Sequence, residues 1–156
     1  MSPLLLAIPA TRPQPRWTTV ILLSWLLGAV LVQAPPVAAQ GSGETQTNRD
    51  GQVTVAVTWP GPPTGLAFRV VLDTHSVDLD GYDLGALTLV RGDQGAEVWP
   101  ISWDAPPGGH HREGSLVFPD ASSDEMPVIG PDTRALELVI RDVGGVQERV
   151  FRWAWE

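Results

Sequence analysis

The sequence predicts an all-β domain: an antiparallel two-sheet sandwich of immunoglobulin-like type with about seven strands. Three observations predict it. Apolar and polar residues alternate over short runs, as where Val53, Val55 and Val57 interleave with Thr54, Ala56 and Thr58. The 15 prolines and 16 glycines recur too often to leave a long uninterrupted helical face. The apolar runs are short, evenly spaced and separated by turn residues, which is the rhythm of a sandwich rather than of alternating strands and helices. The chain has no cysteine, so it lacks the Cys–Trp–Cys pattern of antibody-type domains. It also has no means of forming disulfides or thiolate metal sites.

The first 39 residues stand apart from this pattern. Arg12 and Arg16 form a short basic region without acids, residues 17–32 are an apolar run, and residues 34–39 (APPVAA) are small. That order describes a secretory signal peptide with cleavage expected after Ala39; retention as an N-terminal membrane anchor is the alternative. The 16-residue run is shorter than the ~20 residues that cross a bilayer comfortably. Without a cysteine there is no lipid attachment site of the lipobox kind, and the separated arginines argue against a twin-arginine signal. Any contact with a membrane is expected through this segment alone, if it stays uncleaved. The protein is therefore expected outside the cytoplasm: periplasmic, at the cell surface or extracellular.

The whole chain has a formal net charge of −8, and the first 39 residues hold two of its positive charges, so the remainder carries −10. Such a surface repels phosphate backbones and excludes nucleic acid as a partner. Cations and basic proteins are the natural counterparts.

Residues 40–51 (QGSGETQTNRDG) are small, polar and aperiodic, and read as a flexible linker to a domain at 52–156. The strand at residues 53–58 is broken by PGPPTG at 60–65. A second strand runs over 66–74 with Leu66, Phe68, Val70 and Leu72 on one face. After a polar loop at 75–83, residues 84–90 and 96–101 form a hairpin about RGDQG at 91–95. A crowded loop with paired prolines, glycines and histidines leads to a strand at about 114–118. Residues 119–133 make a long acidic connection, and the last two strands, 136–141 and 149–155, meet at a turn over 142–147. Trp103 and Trp153 are expected in the core, Trp59 and Trp155 partly exposed.

If each strand reverses its predecessor, connections that follow upward strands share one end of the sandwich. Those are residues 75–83, 102–112 and 142–147, and they hold all three histidines, His75, His110 and His111. Loops gathered on a rigid frame are where binding residues concentrate. Neutral imidazole is a common transition-metal ligand, and Asp78 and Asp104, or Asp73, could complete a set suited to Cu(II) or Zn(II). The Gly108-Gly109 pair would let the chain bend so that both adjacent histidines face inward. DLDGYD at 78–83 resembles part of a calcium loop, but Leu89 stands where a Ca(II) loop needs its twelfth-position glutamate. Trp99 and Trp103 offer an aromatic platform for a ligand. Against these stand the bland readings, in which the histidines and tryptophans only hold loops in place. Ser76 and Ser102 are near histidines in sequence but sit in no nucleophile elbow, which leaves a hydrolase as the weakest reading.

The segments DTHSVDLD (73–80), WD (103–104), GGHH (108–111) and ERVFRW (148–153) together resemble a group of small exported prokaryotic β-sandwich domains without characterised activity. The likeness spans nearly the whole chain after the export segment and carries no activity across. More remotely, an exported β-sandwich with surface histidines is similar in kind to periplasmic copper-carrier domains. The chain departs from those in having no methionine-rich segment and no histidine at the expected mature N-terminus. The expectation is thus a non-catalytic binding domain, with a divalent metal as leading ligand and an extracytoplasmic protein as the alternative partner.

Overall fold

The computed structural model describes residues 43–156, so the export segment and the first residues of the linker lie outside the described residues. Nine strands form two antiparallel sheets. They are β1 (Thr45–Asn48), β2 (Val53–Thr58), β3 (Ala67–Thr74), β4 (Thr88–Gly92), β5 (Glu97–Val98), β6 (Ser102–Asp104), β7 (His111–Val117), β8 (Ala135–Val143) and β9 (Val146–Ala154). One sheet has the order β1-β2-β3-β7-β6 and the other β5-β4-β8-β9. The all-β, two-sheet, antiparallel expectation is met, with nine strands among the described residues rather than about seven. Among the described residues no helix is long and apolar enough to cross a membrane.

Period-2 alternation puts one set of side chains from each sheet into a shared core. Val53, Val55, Val57, Phe68, Val70, Leu72 and Leu116 from the five-stranded sheet join Val90, Leu136, Leu138, Ile140, Phe151 and Trp153 from the other. One end of this core is aromatic. Trp59 has its ring centroid 5.8 Å from Phe68 and 5.8 Å from Trp153, and Phe68 meets Phe118 edge-on at 5.6 Å. Such pairs contribute about 0.5–1.5 kcal/mol each beyond the area they bury. Trp59 is fully buried rather than partly exposed as expected, because its indole N–H reaches the Gly65 carbonyl at 2.9 Å and the turn after β2 folds over it.

Four departures from the sequence expectations have local causes. Within the stretch expected to be linker, Thr45–Asn48 is a strand paired with β2; its residues are polar because it is an edge strand and buries little. Leu84–Leu87 is one turn of α-helix (α1), not the start of a strand. Asp83 caps it by accepting from the Gly85 amide at 2.9 Å, and Leu84 turns into the core. Residues 99–101 leave the hairpin after β5 and carry the chain to β6, so Trp99 and Ile101 are exposed at 56% and 69%. Finally β7 begins at His111, three residues before the predicted start, because its polar first half pairs with β3.

One flank between the sheets is sealed by side chains. The Gln46 amide donates to the Arg152 carbonyl at 2.7 Å and accepts from the Arg152 N–H at 3.2 Å, so it stands in for a strand between β1 and β9. Beside it Arg149 is buried. Its guanidinium donates to Asn48 Oδ1 (2.9 Å) and to the carbonyls of Val143 (2.6 Å), Asp50 (2.7 Å) and Val53 (3.2 Å). Burial pushes this guanidinium below the ordinary arginine range, with the nearby Asp50 charge opposing the shift.

Candidate functional site

The three connections that parity assigned to one end do meet. The Leu79 N–H donates to the Gly109 carbonyl at 2.8 Å, the Thr74 N–H donates to the His110 carbonyl at 3.0 Å, and the Gly144 N–H donates to the Tyr82 hydroxyl at 3.1 Å. Two charged side chains fasten the first two of them together. Asp80 Oδ1 accepts from the amides of both Gly108 (2.8 Å) and Gly109 (3.2 Å). Arg112 spreads its donors over the carbonyls of Leu79 (3.1 Å), Tyr82 (2.8 Å), Ala105 (3.3 Å) and Pro106 (3.3 Å), with its guanidinium carbon 5.5 Å from the Trp103 ring centroid. Gly108 is required by this packing: a Cβ there would lie 2.0 Å from the His111 carbonyl oxygen.

His111 lies directly across from Asp73 in the β3–β7 register, and its Nδ1 is 2.5 Å from Asp73 Oδ1. In the neutral ring this bond fixes the proton on Nδ1 and leaves Nε2 with the lone pair, facing out. The pair is more than half exposed, so it orients the imidazole and adds little stability. Farther along the same face Glu113 pairs with Arg69 at 2.6 Å. Hydrogen bonding to Arg69 holds the Glu113 carboxyl below its ordinary range against the opposing effect of desolvation, and the charges of Arg69 and His111 add to the lowering.

The remaining expected ligands are dispersed. His75 lines a shallow groove at the end of β3 with Asp73, Thr54, Gln52 and Ser76. The His110 side chain is exposed and its carbonyl is engaged with Thr74. Asp78 accepts from the Asp80 amide at 3.0 Å, forming a local turn, and Asp104 ends β6 opposite Ser115. Among the described residues no three histidine, aspartate or glutamate side chains come together as a metal-holding group. As arranged, His75, His110, His111, Asp78 and Asp104 do not form one coordination set. The calcium-like stretch behaves likewise: Asp78, Asp80 and Asp83 each turn to a different set of backbone amides rather than to a common centre. Among the described residues, neither Ser76 nor Ser102 hydrogen-bonds a histidine through its hydroxyl.

Trp103 and Trp99 do not make one platform. Trp103 is half-buried against the core with Arg112 over its ring, while Trp99 is exposed on the link between the sheets. The residues that sequence reasoning missed are Asp80 and Arg112. An Asp in an Asp-Gly loop and an Arg after a histidine pair have no period or spacing to mark them as partners. Their relation exists only once β3 and β7 are paired.

No known protein family, curated protein or solved structure matches the chain.

Proposed function

We propose that the chain is an exported, non-catalytic interaction module of immunoglobulin-like sandwich type, and that its loop end is the binding surface. The observation that carries this reading is the lock made by Asp80 and Arg112, which joins the Leu79–Gly109 and Thr74–His110 backbone bonds in holding residues 75–83 and 105–111 against each other. Preformed loops forfeit little conformational entropy on binding, which favours recognition by a rigid surface. Asp73, Asp78, Asp83, Asp104 and Asp142 are exposed there, and the nearby Arg112 is occupied with carbonyls, so the partner is a basic protein segment. A titration with an Arg/Lys-rich peptide, followed by amide NMR, tests this. The expected result is salt-sensitive shifts confined to residues 73–83, 104–111 and 142–146. Shifts spread evenly over both sheets, or none, would contradict it.

A second reading is favoured by the Asp73–His111 pair. A carboxylate holding Nδ1 is the usual support for an imidazole that ligates a metal through Nε2. On this reading His111 recruits further donors from His75 or His110 to bind Cu(II) or Zn(II). Stoichiometric binding that disappears in a folded H75A/H110A/H111A variant would establish it; no binding by the parent would remove it.

A further inference from the structure

The outer face of the four-stranded sheet carries a pattern that neither reading of the loop end uses. Its strand order, β5-β4-β8-β9, and its registers set Glu97 opposite Arg91, Arg91 opposite Glu137, and Glu137 opposite Arg152. The row therefore alternates in sign across the whole sheet. Arg91 Nε lies 2.6 Å from Glu137 Oε2 and Arg152 Nη1 lies 3.0 Å from Glu137 Oε1, so the row is held as a ladder. The neighbouring row on the same face is apolar. Leu89, Val139 and Val150 are aligned by register, and Trp99 follows Val98, the partner of Val90, where the chain leaves β5 on the Leu89 side of the charged row. Its two ends are open, Trp99 at 56% exposure and Val150 at 41%, with Leu89 and Val139 buried between them.

A row reading minus, plus, minus, plus becomes plus, minus, plus, minus when reversed. It therefore complements its own reversal position by position. A two-fold axis parallel to the strands and midway between β4 and β8 performs that reversal on a facing copy. It sets Arg91 against the facing copy's Glu137, and Glu97 against its Arg152. On the Leu89 side of that row it brings the exposed Trp99 at the end of β5 toward the facing copy's exposed Val150.

We propose that two copies of this chain associate face to face through their four-stranded sheets about this axis. Isologous contacts of this kind need one self-complementary patch, and stacked sheets in the aligned arrangement keep their strands within about 30° of each other. Four strands at ~4.8 Å spacing span roughly 19 Å, which places the contact at the small end of specific interfaces. The dimer is accordingly concentration-dependent, with the Trp99 contacts as its anchors.

The test uses the product recovered from expression of the full chain, with sedimentation equilibrium from about 1 μM to 1 mM. The expected result is a monomer–dimer equilibrium that weakens roughly tenfold or more in W99D, an exposed substitution that leaves the core untouched. R91E and E137R should each be monomeric, since each sets like charges against like at both symmetric contacts. An equimolar mixture of R91E and E137R restores opposite charges at both contacts and should dimerise. A parent that remains monomeric throughout would overturn the proposal, as would a dimer indifferent to W99D. If E137R fails to unfold cooperatively, W99D and R91E alone decide the matter.

Discussion

Arg149 shows how a single residue joins parts of the chain that are far apart in sequence. Its guanidinium reaches Asn48, Asp50, Val53 and Val143, which lie on β1, the turn after it, β2 and β8. Replacing it by methionine would keep much of the volume and leave those carbonyls unpaired in the interior. The expected loss is about 3–5 kcal/mol in chemical denaturation. Lysine should not rescue it, because one ammonium cannot reproduce the fork that meets several acceptors. Glu113 makes the second prediction at this scale. Its folded pKa is depressed by hydrogen bonding to Arg69 and by the Arg69 and His111 charges, so any stability it contributes is present above its unfolded pKa. That stability is lost as pH falls through the folded value. A carbon-detected NMR titration should place the Glu113 midpoint below the ordinary glutamate value of ~4.3, and R69A should return it toward that value. A midpoint unaffected by R69A would show that the Arg69 hydrogen bond is not the cause.

Elements were legible where their residues bury a face. β2, β3 and the centre of β8 alternate apolar and polar and were found to within a residue or two at most ends. β1 and the first half of β7 were hidden, because Thr45–Asn48 and residues 111–115 meet other strands through backbone and polar side chains, and no apolar period marks them. α1 failed for the opposite reason: Leu84 and Leu87 fit a helical turn and a buried strand equally over so short a run, and only the Asp83 cap decides. The place of the loop end was legible from strand parity alone, whereas the Asp80 and Arg112 contacts that hold it were not, since nothing local pairs residue 80 with residue 108. Two predictions belong to elements. Q46A should cost about 1 kcal/mol and speed hydrogen exchange of β1 selectively, because the amide closes the gap between β1 and β9. G108A forces a Cβ against the His111 carbonyl and should cost more than ~1 kcal/mol while loosening residues 75–83. Equal loosening of β8 amides in G108A would show that the loops are not a separate unit.

For the whole molecule, the two ends of the core differ in chemistry. One holds the cluster of Trp59, Phe68, Phe118 and Trp153, whose rings are buried and in mutual contact. The other holds connections fastened by charged groups to backbone, with carboxylates and imidazoles outward. A frame packed by aromatic rings at one end and polar at the other is consistent with the proposed module that presents loops, and on that reading the acidic surface favours a basic partner. On this reading the protein's own groups fix the loop end. Native-state hydrogen exchange in the presence of a chelator tests it most directly, read at the amides of Leu79, Tyr82, Gly108 and Gly109. These amides should be protected without metal, added Zn(II) or Cu(II) should leave them unchanged, and D80A should release all four together. Amides that exchange freely in chelator and become protected only when metal is added would contradict it.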